Sequence, residues 1–309
     1  MITEKSALTY SPLTPRLMVQ LAAPHTWPAA IMPCLFAYAA AATALQSVNT
    51  LTTIVLLCIC ILMQASVNTF NDYYDYVKGA DSKDDDVDPT DAVLVYNNVN
   101  PKNVLVFAIS LLVVAFALGV YIIWQAGIIP LVIGLIGAVI VVLYSAGKTP
   151  ISYLPIGECV SGVVMGGLIP LACYQALTLQ LNFLILLWAI PFIIGIGLIM
   201  MTNNTCDIEK DRLSHRKTLP TLLDRPQARA LYHGLMITWF SVIVTVIVIW
   251  FTPGWLVCLF MLLAGYPIAL ALWRNPLNGQ TRIAAMGSIT SLNVVLGAFY
   301  AAGIFASLL

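Results

Sequence analysis

Apolar runs of membrane length, broken by short polar turns, set the pattern of this chain. Residues 17–71 hold no Lys, Arg, Asp or Glu and are interrupted at 46-QSVN-49. Residues 104–147 are equally free of charge and break at QAGIIP (125–130). Between 149 and 206 the one charged residue is Glu158, with a break near 176–182, and 230–273 divides at 252-TPGW-255. A helix needs about 20 apolar residues to cross the hydrocarbon core. Each of these four runs therefore supplies two spans, and 283–309 supplies one more. The expected fold is an all-α integral membrane bundle of about nine transmembrane helices, a single domain over 1–309, because exposed backbone cannot cross lipid unpaired.

Composition agrees with the pattern. Of 309 residues, 60% are hydrophobic and 9% charged, more apolar surface than a soluble protein can hide. The net charge of zero gives no electrostatic pointer to a nucleic-acid partner. The first 16 residues carry Glu4, Lys5 and Arg16 but no short apolar segment with a cleavage site, so the first span is expected to be retained. All 14 Lys and Arg fall on the side that holds the N-terminus and the segments near 77–103, 148, 205–229 and 274–282. The positive-inside rule makes that side cytoplasmic, in what we expect to be a bacterial cell membrane, and puts the C-terminus outside. Nearly every carboxylate lies there too, which orientation does not require. The segments 77–103 and 205–229 are thus the expected active-site loops.

Two polar clusters sit where spans end on that side. In NDYYDYVKGAD (71–81), preceded by Asn68, the residues Asn68, Asn71, Asp72 and Asp75 fall at i, i+3, i+4 and i+7, one helical face, with Asp81 beyond Gly79. In TNNTCDIEKDR (202–212), Asn203, Asp207 and Asp211 fall at i, i+4 and i+8, with Asn204 beside them. Carboxylates stacked on one face repel and are costly near hydrocarbon unless paired or bound to a cation. Oxygen-only donors suit Mg²⁺, which commonly shares its shell between carboxylates and phosphate oxygens. Two facing clusters around Mg²⁺ imply a diphosphate between them, and a diphosphate beside an apolar bundle implies a lipid tail. Asp84, Asp85, Asp86, Asp88 and Asp91 read as solvated loop charges.

NDYYDYVKGAD and DIEKD resemble the paired motifs of the UbiA-type intramembrane prenyltransferases, an NDxxDxxxD-like run after helix 2 and DxxxD after helix 6. Within that family, 24-PHTWPAAIMP-33, LYSAGKTPISYLPIGE (143–158) and NNTCDIEKDRLSHRKTLPTLL (203–223) look most like the 1,4-dihydroxy-2-naphthoate prenyltransferases of menaquinone synthesis. The resemblance covers roughly residues 16 to 305. It implies Mg²⁺-dependent transfer of a prenyl chain from a polyprenyl diphosphate to an aromatic acceptor, 1,4-dihydroxy-2-naphthoate, in a membrane-lipid setting. It implies metal-side roles for Asn68, Asn71, Asp72, Asp75, Asp81, Asp207 and Asp211, with Asn204 beside the diphosphate. Lys78, Lys148, Arg212 and Lys217 are the candidate diphosphate clamps, Tyr144 a candidate stabiliser of the allylic cation, and Glu158 an acceptor-side acid–base group. Two departures stand out: 84–104 lacks the Arg that relatives place there, leaving Lys83 or Lys102, and a Ser-His pair interrupts 212-RLSHRKTL-219.

Other readings remain at this level. The acceptor could be a hydroxybenzoate or haem. An ion-coupled transporter would place its acids near the midplane, not at one face. A CDP-alcohol phosphotransferase would carry a DGxxAR run, which the chain lacks. The seven Cys lie mostly within apolar runs; Cys58 and Cys60 form CxC with no nearby His, so they read as buried small hydrophobes, not metal ligands or disulfides.

Overall fold

The computed structural model describes residues 10–45, 47–79, 92–145, 147 and 149–308. Among them the elements are α1 (Pro15–Ala22), α2 (Pro28–Leu45), α3 (Thr50–Lys78), α4 (Val93–Asn97), α5 (Pro101–Ala126), α6 (Ile129–Ser145) and α7 (Gly157–Ser161). There follow α8 (Ile169–Thr178), α9 (Leu184–Trp188), α10 (Ile190–Cys206), α11 (Ile208–Leu213), α12 (Arg225–Trp250), α13 (Trp255–Arg274) and α14 (Arg282–Phe305). A π-helical stretch, Gly162–Leu168, joins α7 to α8 as one continuous span. The described residues contain no strand beyond an isolated bridge between Ser11 and Val99.

Seven helical segments are long and apolar enough to cross a bilayer: α2, α3, α5, Gly157–Thr178, α12, Thr252–Arg274 and Gly279–Leu308. The spans expected fourth and sixth are the shorter apolar helices α6 and α10, each of 17 residues. The breaks fall where local chemistry puts them. Asn49 and Asn100 accept the first free backbone N–H groups of α3 and α5. Asp224 and Gln227 form a capping box at the start of α12. Gly79 closes α3 in the left-handed conformation, φ 66°. The 205–229 segment is not a plain loop, since it contains α11 and a short 3-10 turn, Leu219–Leu222.

Within lipid, helices gain little from burying apolar side chains against one another, so small residues and hydrogen bonds decide which surfaces meet. Ala37, Ala39, Ala40, Ala41 and Ala42 bury the inner face of α2, which packs against α8 and α14. Gly162 and Gly166 stand one turn apart where the α7–α8 span crosses α10. A Cβ at Gly166 would lie 2.4 Å from the Ile193 nitrogen, and one at Gly162 would lie 2.4 Å from the Ile193 carbonyl oxygen. Asn293 of α14 donates to the Gly195 carbonyl (3.1 Å), and the Tyr300 hydroxyl donates to that of Trp188 (2.6 Å). Phe36, Phe192 and Tyr300 stack around that contact, with ring centroids 5.2–5.8 Å apart. By contrast α5, α6 and α13 present Val, Ile and Leu side chains outward, as lipid contact demands. Cys58 and Cys159 share that outward exposure, so they are not the buried residues expected of them.

Gly166→Ala is expected to destabilise the fold by about 1–3 kcal/mol, because its Cβ meets backbone that cannot swing aside. Gly234→Ala, whose Cβ meets nothing within 4 Å, is expected to leave the melting temperature in detergent unchanged or raised. Equal melting temperatures for the two variants would show that the α7–α10 crossing is not close-packed.

Candidate active site

Two helices deliver polar ends to the same place. The end of α3 carries Gln64, Asn68, Asn71, Asp72 and Asp75; the end of α10 carries Asn203 and runs into Asp207. Both ends open onto one cavity of about 1340 Å³. On α3 alone the lining extends from Asp75 back to Leu56, about 28 Å of helix. Polar groups gather at one end, whereas the remaining wall is built from residues such as Ile59, Met63, Phe116, Leu131, Val164 and Met286.

Each polar residue of α3 has a holding contact. Asn68 donates from its amide to the Ala22 carbonyl (3.0 Å) and the Thr26 hydroxyl (2.7 Å), and its oxygen accepts from Gln64 (3.3 Å). It thereby locks the α1–α2 turn onto α3, and that is its place in the site. The Asn71 oxygen accepts from the Ser145 hydroxyl, and Lys78 donates to the Ser145 carbonyl (2.5 Å), so both tie α3 to the end of α6. Asp72 is buried and accepts from the backbone N–H groups of Val93 (2.7 Å) and Leu94 (3.2 Å). Those are the first unpaired donors of α4, whose own N-cap residue, Ala92, offers no side-chain oxygen. Around them Leu21, Val93, Leu94, Val99 and Val104 form a small separate core. Asp75 lines the cavity, while Asp81, Lys83 and Lys148 lie outside the described residues.

On the α10 side, Asp207 stands between the end of α10 at Cys206 and the start of α11 at Ile208. Backbone hydrogen bonds from Asp207 to Asn203 (3.1 Å) and from Asp211 to Asp207 (2.8 Å) bridge the junction. Asn203 and Asp207 line the cavity and Asp211 does not. Asp207 faces the cavity and pairs with Arg282 of α14 (3.1 Å), which also donates twice to the Asn203 oxygen (3.0 and 2.7 Å). Asp211 is turned away and buried at 2% exposure, where it accepts from Thr218 (3.1 Å) and pairs with Arg216 (3.5 Å). Burial pushes its carboxyl up to about 6, against the pull of Arg216 and Thr218. It anchors the 211–218 turn and does not line the cavity. Asn204 is likewise buried off the cavity, donating to Glu158 Oε1 (2.8 Å). Glu158 itself sits behind the wall at 5% exposure, with Oε2 lacking a hydrogen-bond partner among the described residues. Tyr144 lines the cavity in front of it, close enough for Glu158 and Arg216 to act on its hydroxyl electrostatically.

The basic residues sort differently from expectation. Arg212 is exposed and donates to the carbonyls of Thr221 (3.3 Å) and Leu223 (2.9 Å), clasping its own loop. Lys217 is exposed and Lys102 stands at the exposed start of α5. None of these lines the cavity; Lys210, Arg216 and Arg282 do. Arg216 lies over the Tyr153 ring (4.8 Å), and Lys78 approaches the same ring (5.8 Å). Sequence spacing missed Arg282 because it comes from another segment, and missed Arg216, within the expected 205–229 loop, because spacing does not show which of neighbouring basic residues faces the cavity. The usable signal was a cation at the first residue of the last span, directly across from the second acidic cluster. Arg225 bonds Glu209 (2.5 Å) and the Thr205 carbonyl (3.1 Å), fixing the start of α12 against the end of α10.

A narrow polar end with oxygen donors and cations, opening into a long apolar bore, is the shape that a phosphorylated lipid requires. Residues 30–292 match the model of the UbiA prenyltransferase family. The chain belongs to that family. It is an integral membrane prenyltransferase. It is 30% identical, over 94% of its length and 93% of the relative's, to the 1,4-dihydroxy-2-naphthoate octaprenyltransferase of Bacillus subtilis (strain 168). It is 27% identical to UbiA prenyltransferase domain-containing protein 1 of Homo sapiens, over 77% of this chain and 68% of that one. Solved structures with the same fold include a UbiA homolog from Aeropyrum pernix K1 (TM-score 0.66, 14% identity, 91% of this chain and 98% of that chain). Another is the UbiA homolog from Archaeoglobus fulgidus bound to GPP and Mg²⁺ (TM-score 0.63, 15% identity, 92% and 99%).

Asp72→Ala is expected to lower stability by about 1–2 kcal/mol through loss of the α4 cap. Limited proteolysis should then cut faster within 92–100 while the apolar spans stay protected. Unchanged cleavage would show that the cap does not hold α4.

Proposed function

We propose that this UbiA-family enzyme transfers a prenyl chain from an allylic polyprenyl diphosphate to 1,4-dihydroxy-2-naphthoate, with loss of CO₂, in menaquinone biosynthesis. The observation that supports the transfer most is the two-part cavity, oxygen donors and cations at one end and an apolar bore beyond. The naphthoate acceptor rests on likeness to the Bacillus subtilis enzyme over nearly the whole chain. The distribution of Lys and Arg supports a polar end facing the cytoplasm, with the C-terminus outside, and likeness to the Bacillus subtilis enzyme supports a bacterial cell membrane.

Mg²⁺ belongs to this reading, and the donor chemistry fits it. At the polar end Asp72, Asp75 and Asp207 with the amides of Asn71 and Asn203 supply the oxygen donors that suit Mg²⁺, while His25 and Cys206 also line the cavity there. Those carboxylates and amides would hold Mg²⁺, which when bound supplies charge neutralisation at the departing diphosphate.

The chain's own residues carry the rest. Lys210, Arg216 and Arg282 grip phosphate oxygens from the cavity wall, with Lys78 at its rim. Arg282 does so while holding Asp207 and Asn203 in place. The apolar bore takes the prenyl tail and keeps water from the allylic cation, toward which Tyr144 turns an electron-rich ring. Glu158, held by Asn204 behind Tyr144, acts on the acceptor's hydroxyl proton through the Tyr144 hydroxyl, which lines the cavity. Asn68 and Asp211 hold the scaffold.

Purified protein in detergent with Mg²⁺, a prenyl diphosphate and 1,4-dihydroxy-2-naphthoate should yield a prenylated, decarboxylated naphthol by mass spectrometry, and EDTA should abolish it. Diphosphate release without that product would overturn the acceptor and leave prenyl chemistry; no release with any donor would overturn both. Asp207→Asn, which keeps an oxygen acceptor for Arg282, is expected to cost at least ~100-fold in turnover with its melting temperature little changed. Arg212→Ala, off the cavity, is expected to stay within about twofold of wild type.

A further inference from the structure

Three cysteines that the sequence keeps far apart meet in the apolar interior. Cys34 of α2, Cys60 of α3 and Cys173 of α8 have Sγ atoms that all lie within 4.8 Å of one another, and those of Cys34 and Cys173 are 3.8 Å apart. All three are buried and free. Cys60 and Cys173 line the large cavity, so the group can be reached from its polar end. Twelve residues of α3 separate Cys60 from Asp72, which puts the thiols about 18 Å along the helix from the carboxylates. They are therefore outside the oxygen-donor site.

The spacing decides between two chemistries. A disulfide needs its sulfurs about 2.05 Å apart, whereas Cys34 and Cys173 stand as free thiols 3.8 Å apart. Three sulfurs at about 2.3 Å from one ion, arranged trigonally, stand about 4 Å from one another. The observed separations match a shared ion and not a bond. Sulfur donors select soft d¹⁰ ions over Mg²⁺. Charge then narrows the choice, because an ion deep in hydrocarbon must be close to neutral with its ligands. Zn²⁺ takes four ligands in a structural site, and these three residues supply no fourth. A monovalent ion reaches neutrality with a single thiolate, where Zn²⁺ needs two; its binding releases one proton from one thiol, and the other two sulfurs complete the shell as weaker thiol donors.

We propose that Cys34, Cys60 and Cys173 form a trigonal site for a soft monovalent cation, Cu(I), inside the membrane-embedded cavity. The site is independent of which aromatic compound the enzyme prenylates. It also changes the sequence-level reading of these cysteines, since CxC spacing on α3 contributes only Cys60, whereas Cys58 points outward.

Purified protein under anaerobic reducing conditions is titrated with Cu(I) against a chromogenic Cu(I) chelator, and copper retained after gel filtration is counted by mass spectrometry. One equivalent per chain is expected for wild type, with an ultraviolet sulfur-to-copper absorption band. Cys173→Ser and Cys60→Ala should each weaken binding at least tenfold. The Cys58→Ser and Cys159→Ser double variant, which changes only exposed thiols, should bind as wild type does. Circular dichroism and copper-free melting curves identify a variant that has not folded; Cys34→Ala then takes its place. Copper retention by Cys173→Ser and Cys60→Ala equal to wild type, or loss of binding in the exposed-cysteine variant, would overturn the site.

Discussion

The pairing of Arg282 with both Asp207 and Asn203 is the contact on which the polar end of the bundle depends. A carboxylate at the rim of an apolar cavity is costly unless a cation stands against it. Here the cation arrives from the first residue of the last span, so one contact ties α14 to α10 and shapes the cavity mouth. Arg225 repeats the device one layer outward, joining α12 to Glu209 and to the end of α10. Arg216 repeats it again, between Asp211 and Tyr153. Three arginines thus fix three segments around a single opening.

On the opposite wall, hydrogen bonds to backbone and to uncharged side chains do the same work. Asn68 seizes the α1–α2 turn and Asp72 caps α4, while Asn71 and Lys78 reach the end of α6. The polar residues of α3 are consequently both lining and framework. That double role explains why a face of carboxylates can end a long apolar helix without the helix fraying. Each has a partner that the fold brings to it. The apolar half needs less, since small residues on α2 and the glycines at the α7–α10 crossing let backbones approach and leave bulkier side chains to line the bore.

Much of this was legible in the chain. Charge-free runs and their interruptions placed the helix breaks within a few residues, because a length limit and a ban on unpaired backbone leave little choice. Helical spacing also placed Asn68, Asn71, Asp72 and Asp75 on one face correctly, since α3 runs unbroken through them. For Asp211 that spacing could not show the neighbours, and Thr218 and Arg216 hold it off the cavity. Basic residues were the least legible. Arg212 and Arg216 stand one helical turn apart in sequence, yet one clasps its own loop and the other faces the cavity.

What the sequence determined by itself, then, was whatever follows from local periodicity and transfer into lipid: an all-helical membrane bundle, one charged end, and two acidic clusters at the ends of spans. What only the tertiary structure decided was which residues from separate helices share a space. It placed Arg282 against Asp207, put Asn204 against Glu158 behind the wall, and gathered Cys34, Cys60 and Cys173 from three helices. Spacing along a helix fixes direction within that helix alone. Distances between helices depend on where small residues let them close, and that is settled by packing the whole bundle at once.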